Sequence, residues 1–323
     1  MEFFKGNKVY DFMSKSKIFA FVSLVLVIFS LFLIFTKGFN WGIDFKGGVE
    51  IQIRFEKPVN IADVRNLVSK EFKGANITTF GSPNEILIRL NVNQVSGDVQ
   101  KSLGEEIKKL LLPLGKVEIR RVDIVGAKVG NELKEKGLKA LIFAIIGILI
   151  YVSFRFEWRF ALASVIALMH DTIISLGAVS LFNIEVNLDV LAAVLTLMGY
   201  SLNDTIVVFD RIREEVRKSK INDLATLINV AISKTLSRTV LTSLTTFFVV
   251  LTLFLFGGEI IKPFSFTLLV GIIVGTYSSI FIASPLLIWL GFRIDEYRKK
   301  LAEIEKRKKE KEKLRQMYQG GVV

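Results

Sequence analysis

Asp204 stands inside the run Gly-Tyr-Ser-Leu-Asn-Asp-Thr-Ile-Val-Val-Phe-Asp-Arg-Ile-Arg-Glu at positions 199–214, in a segment otherwise apolar enough to cross a membrane. An ionised carboxylate in hydrocarbon costs roughly 2.5–3.5 kcal/mol even on the lenient insertion scale, so it requires a partner, a water path or a proton. Ser201, Asn203 and Thr205 supply hydroxyl and amide groups around it, a pattern that predicts a wet polar pocket facing other helices. Helical rise puts Asp204 about 9 Å deeper than Asp210, where the span meets the cytoplasm. Proton or ion handling is one reading; a buried, protonated aspartate that glues helices together is the other.

His170 and Asp171 lie in the preceding apolar run, and His170 is the only histidine of the chain. Imidazole titrates near neutral pH, so a proton relay is chemically open to the pair. Adjacent helical residues point about 100° apart, however, so the two need not face one pocket, and a structural hydrogen bonder is the competing reading for the histidine. One run further on, Thr235, Arg238, Thr242, Thr245 and Thr252 follow steps of three, four and seven, which predicts a polar stripe along one helix face opposite Asp204. Arg238 would be the countercharge in that cleft; equally, it reads as a positive charge that ends the span. In the last apolar run Gly271, Gly275 and Ser278 read as a packing face that lets helices approach, and Pro285 follows near its end.

The elements that position these residues are membrane helices. Hydrophobic residues make up 51% of 323, bunched into six runs at 18–36, 138–154, 160–182, 188–209, 239–256 and 264–290. The expected fold class is an α-helical polytopic membrane protein with one extracytoplasmic ferredoxin-like α+β domain. The first run lacks a small-residue cleavage pattern and is read as a retained anchor, not a signal peptide. The absence of cysteine excludes disulfides, thiolate metal sites and thiol catalysis. Arg155, Arg159, Arg211, Arg213, Arg217, Lys218, Lys220, Lys234 and Arg238 crowd two of the short connections, and the other two are nearly free of cations. Both termini are therefore expected in the cytoplasm. The organisation follows: a cytoplasmic N-terminus at 1–17, the first span at 18–36, an extracytoplasmic domain at 37–137, five further spans within 138–290 and a basic cytoplasmic tail at 291–323.

A connection of about 100 residues is too long to be a mere loop. Residues 49–55 alternate apolar Val49, Ile51, Ile53 and Phe55 with Glu50, Gln52 and Arg54, the signature of a half-buried strand. Asn60 can cap a helix reaching about 72; strands at 77–80 and 86–90, a helix at 98–112 and a strand at 117–124 complete a βαββαβ order. No clustered acids at metal spacing and no histidine occur there, so no catalytic site is expected; the domain reads as a docking or moving module, or as a structural cap. Gly42, Gly47 and Gly48 resemble a phosphate loop only superficially, because they open a strand and lack the Gly-Lys-Ser/Thr ending. They are read as a sharp turn where the chain leaves the first span. The net charge of +12 owes much to the tail with Lys306, Arg307, Lys308 and Lys309, which reads as a solvated segment that fixes orientation, with anionic lipid or ribosomal RNA as alternative contacts.

With these residues in view, the chain resembles the SecD/SecF family of protein-export membrane proteins, within the resistance-nodulation-division superfamily. The resemblance rests on Ile43-Asp44-Phe45-Lys46-Gly47-Gly48, His170-Asp171, the run 199–214, Ser237-Arg238-Thr239, Phe256-Gly257-Gly258 and the stretch 275–285, all in family order. It implies no enzyme and no cofactor, with the proton as coupling ion. It also implies a SecD partner, the SecYEG channel with SecA, YajC, membrane lipids and a translocating preprotein, and no specific nucleic acid. Asp204 and Arg238 fall on the family's proton-pathway positions, while Asp44, Gly47 and Gly48 fall on its loop motif. Half of an exporter of lipids or small hydrophobic molecules, and a non-transporting scaffold, remain the competing functions.

Overall fold

The computed structural model describes residues 8–90 and 100–319. A 3-10 turn at Met13–Lys15 leads into α1 (Ser16–Thr36), which between Lys17 and Thr36 is apolar except at Ser23 and Ser30. Ser16 stands at its first position. These three serines are its buried positions, and at Ser30 the backbone comes against Gly177, where no side chain would fit. Small residues allow that close approach between membrane helices.

The chain then forms β1 (Asn40–Trp41), a single turn of helix α2 (Ile43–Lys46), β2 (Gly48–Phe55), α3 (Ile61–Glu71), β3 (Asn76–Phe80), β4 (Ser82–Leu90), α4 (Gln100–Leu111) and β5 (Val117–Val125). The sheet order β3-β4-β2-β5 is antiparallel throughout, the arrangement of a ferredoxin-like βαββαβ unit. Val49, Ile51, Ile53 and Phe55 point to one face of β2 and pack beneath Val64, Val68, Leu103 and Ile107 of the two helices. Asn60 caps α3 by accepting from the Ala62 amide at 3.0 Å. The start of the helix expected at 98–112 falls on residues outside those described.

The remaining elements are α5 (Ala127–Arg155), α6 (Trp158–Leu181), β6 (Glu185–Val186), α7 (Leu188–Lys218), α8 (Leu224–Phe256), α9 (Gly258–Ser278), α10 (Ser284–Trp289) and α11 (Ile294–Gln319). Six helical stretches are long and apolar enough to cross a membrane. Half or more of the apolar window is buried in α6, α7 and the stretch from α9 through α10, against 11–17% in the stretches of α1, α5 and α8. The first three therefore form the inside of the bundle, and the others flank it. Three helices outrun the expected limits most: α5 begins at Ala127, inside the segment expected for the outer domain, α7 continues to Lys218 past the apolar stretch, and α8 begins at Leu224, capped by Asp223 accepting from Thr226 N at 2.8 Å. Hydropathy marks only the lipid-compatible part of a helix, whereas backbone bonding carries it onward into water.

Between α9 and α10 the chain widens into a π-helical turn at Ser279–Ala283. Pro285 lacks an amide donor, and Ser284 Oγ donates to the Ser279 carbonyl at 2.8 Å in the loosened turn. The strip before α1 meets this turn, with Phe12 edge-on to Phe281 at 5.9 Å between ring centroids, and it also lies on α8, where Asn229 Oδ1 accepts from Phe12 N and Met13 N at 2.9 and 3.0 Å. The basic tail is a helix whose first turns are fastened by Arg298, which donates to the carbonyls of Val216, Ser219 and Ile221 around the end of α7.

Candidate functional site

Asp171 on α6 is fully buried and joins three helices. Its Oδ2 accepts from Ser201 Oγ of α7 at 2.5 Å and from Ser278 Oγ of α9 at 2.7 Å, and its Oδ1 lies 2.8 Å from His170 Nδ1. The 100° offset between neighbours does not separate the pair, because the imidazole folds back onto the next residue's carboxylate. An ionised Asp171 assigns the ring proton to Nδ1; His170 Nε2 is buried with no hydrogen-bond partner. The His170 ring stacks on Tyr277 at 6.4 Å between centroids, and the Tyr277 hydroxyl donates to the Phe19 carbonyl of α1 at 2.8 Å.

Asp204 lies one helical turn along α7 from Ser201 and is also buried. Its Oδ2 accepts from Ser243 Oγ of α8 at 3.1 Å, and Thr276 Oγ1 of α9 stands 2.8 Å from the same serine oxygen. A hydroxyl chain thus runs from α9 through α8 to Asp204. The two carboxylates occupy separate hydrogen-bond networks linked by their helices: Ser201 and Asp204 share α7, and Thr276 and Ser278 share α9.

Several expected neighbours stand elsewhere. Ser201 serves Asp171 instead of Asp204, and Thr205 Oγ1 bonds back to the Ser201 carbonyl at 3.2 Å. Asn203 is exposed on the outer side of α7, not in the pocket. Thr242 is exposed too, its hydroxyl spent on the Arg238 and Thr239 carbonyls of its own helix at 3.0 and 2.9 Å. Arg238 is exposed and makes no ion pair with Asp204 among the described residues, though its charge is near enough to act on that carboxyl. The buried polar face of α8 instead carries Thr235, Thr239 and Ser243. Those positions are four apart and as helical in spacing as the expected stripe, so only packing distinguishes the two faces. Ser278, read as a packing residue, is a carboxylate donor, whereas Gly275 does serve approach: a Cβ there would meet Ser201 Cβ at 3.0 Å. Ser243, Thr276, Ser278 and Tyr277 are the site residues that sequence reasoning missed. Their signal was the presence of hydroxyls at helical spacing in apolar spans.

A second constellation joins the β-domain to the bundle. Gly47 and Gly48 have φ of 73° and 151°, and a Cβ on Gly48 would meet the Leu90 carbonyl at 2.7 Å, so the loop needs glycine at both positions. The turn they make delivers Asp44, whose Oδ2 accepts from the Leu188 amide at 2.9 Å, at the exposed start of α7. Nearby, β1 pairs in parallel with β6, and Glu185 of β6 forms an ion pair with Arg89 of β4, which also binds Glu50 at 2.6 Å. Burial pushes the Glu185 carboxyl up to about 7; Arg89 and Lys46 pull against it, while Glu50 and Asp44 add to the rise. Asp44, Glu50, Arg89 and Glu185 line a cleft of about 290 Å³ between domain and bundle. Among the described residues no cluster of three or more His, Asp or Glu side chains is placed to hold a metal.

The model of the SecD/SecF C-terminal protein-export membrane family matches residues 106–293, which include Asp171 and Asp204, and that of the SecD/SecF GG motif matches residues 32–59, which include the glycine loop. The chain belongs to the SecF family of protein translocase subunits. Protein translocase subunit SecF of Helicobacter pylori strain J99 is 50% identical over 325 residues, covering 100% of both chains. The SecF proteins of Vibrio alginolyticus and Escherichia coli O157:H7 are 46% and 43% identical over 90% and 89% of this chain and 92% and 90% of their own. Among solved structures, the crystal structure of SecDF, a translocon-associated membrane protein from Thermus thermophilus, superposes with a TM-score of 0.79 at 37% identity over 89% of this chain. A crystal structure of SecDF in a super-membrane-facing form gives 0.67 at 36% over 93%. This chain spans only 39% and 40% of those two chains.

Proposed function

We propose that the chain, with SecD, uses the proton motive force to promote preprotein translocation after the SecA-driven step. Its place as an auxiliary subunit of the Sec protein translocase follows from its family and from relatives that match over its whole length. The observation that carries the proton reading is the way Asp171 and Asp204 are held: hydroxyls from neighbouring helices reach both, and among the described residues no lysine or arginine pairs with either. A carboxylate pinned by a cation is locked in its charged state. A hydroxyl serves either state, donating to the carboxylate and accepting from the acid, so such a site can load and release a proton with little rearrangement.

Coupling then runs along α7. Asp44 of the glycine loop touches the first turn of this helix, and Asp204 lies roughly 24 Å further along it at 1.5 Å per residue. A proton crossing 100 mV releases about 2.3 kcal/mol, enough to bias a two-state movement of the β-domain roughly 50-fold. On this reading both termini are cytoplasmic, residues 37–137 are extracytoplasmic, the partners include SecYEG with SecA, YajC and the preprotein, and the chain is not an enzyme and carries no cofactor, the proton being the coupling ion.

The test is Asp204→Asn, which keeps size and hydrogen bonding while removing titration. In vesicles reconstituted with SecD and the translocase, the variant should assemble normally yet lose gradient-stimulated export. Undiminished stimulation would leave the buried acids as structural glue and the chain as a scaffold.

A further inference from the structure

Where α5 gives way to α6, the side chains build a site of a different chemistry. A cleft of about 700 Å³ opens between the α5–α6 turn, the end of α7 and the first turns of α11. Tyr297, Leu301, Ile304 and Lys308 recur at helical spacing and present one face of α11 to it. The charged groups of its wall are six cations and two carboxylates, Glu157 and Glu305. Four of the cations are already engaged. Arg155 and Arg213 share Asp210 at 3.1 and 3.4 Å, Lys300 meets Glu157 at 3.1 Å, and Arg298 is committed to backbone carbonyls. Arg217 of α7 and Lys308 of α11 are exposed and have no ion pair or hydrogen bond among the described residues.

Two further features select the ligand. Phe154, at the last turn of α5, is 90% exposed and lines the cleft, and Trp158 opens α6 with 59% exposed. Aromatic side chains at the ends of spans mark the boundary between hydrocarbon and headgroups, which sets the cleft at headgroup level. Its wall is also amphipathic, with Leu301, Ile304 and Phe154 beside the free cations. A soluble phosphate would use the cations alone, and nucleic acid would gain nothing from an aliphatic wall. We propose that this cleft holds an anionic phospholipid, with its phosphate between Arg217 and Lys308 and its glycerol and first methylenes against Phe154, Leu301 and Ile304. Occupancy would extend the hold that Arg298 gives the first turns of α11 toward the middle of that helix, since one headgroup bridges Arg217 of α7 and Lys308 of α11.

The experiment presents the full chain, purified with SecD in mild detergent, with equal amounts of phosphatidylglycerol and phosphatidylcholine and counts bound lipid by native mass spectrometry. The anionic lipid should dominate. The double variant R217Q/K308Q should cut that preference about 30-fold, which corresponds to roughly 1 kcal/mol for each of two cations. The double variant K311Q/K313Q removes the same charge from the same helix beyond the cleft and should stay within about twofold of the unmodified chain. All four residues are exposed, so none of these changes threatens folding. Millimolar inorganic phosphate should not displace the lipid. Equal losses in the two double variants would overturn the site in favour of diffuse attraction to a basic helix; so would displacement by inorganic phosphate, or no preference between the lipids.

Discussion

Ser243 and Thr242 are neighbours on α8, yet the structure gives them opposite roles. Ser243 Oγ donates to Asp204, while Thr242 is exposed and bonded to its own backbone. Ser243→Ala should therefore lower gradient-stimulated export several-fold without impairing assembly, because Asp204 loses its only side-chain donor among the described residues and the link to Thr276 is cut. Thr242→Ala should match the unmodified chain in the same vesicle assay. Equal effects of the two changes would mean that the hydroxyl chain does not serve Asp204. At this scale the sequence was legible in part. A carboxylate within an apolar run is costly wherever it points, so Asp171 and Asp204 stand out without coordinates. The identity of their partners did not, because threonines and serines on α8 fit two helical faces about 100° apart, and the choice between them rests on how α8 meets α7 and α9.

At the scale of elements, the glycine loop and β6 form the junction between the β-domain and the bundle. That the loop turns sharply was readable from its glycines; that the turn delivers Asp44 to Leu188, 144 residues away, was not, since nothing local in the sequence encodes that pairing. The alternation in β2 and the cap at Asn60 made the βαββαβ order readable, because both signals are local. Glu185 at this junction also sets a pH dependence. The unfolded carboxyl releases its proton near 4.5, whereas in the folded protein burial holds it until about 7. Between these values the folded state binds more protons, so stability falls as pH rises through the window and levels off above it. The Arg89 ion pair offsets part of the burial cost, and the net effect is on the order of 1–3 kcal/mol. Glu185→Gln should flatten this part of the profile. Thermal unfolding in detergent at pH 5 and pH 8 measures it, and a variant with an undiminished difference would place the titration elsewhere.

At the scale of the whole molecule, the flanking helices show two kinds of outer surface. The exposed side of α5 carries Ile142, Phe143, Ile146 and Ile150, a wholly apolar face suited to lipid. The exposed side of α8 carries Leu241, Phe248 and Val249, but also Arg238, Thr242 and Thr245. An arginine costs free energy toward hydrocarbon, and hydroxyl-bearing residues favour contact between helices, so this side of α8 is the better surface for a protein partner. The solved SecDF chains are more than twice as long as the part this chain covers, which leaves a second unit to supply that surface. A benzophenone probe attached at Thr245→Cys should then form a covalent adduct with SecD in native membranes. The same probe at Phe143→Cys should label lipid alone. The background is clean, because the chain has no cysteine of its own. A SecD adduct from position 143 and none from 245 would move the partner to α5 and leave Arg238 facing lipid, where the cost of its charge would have no compensation.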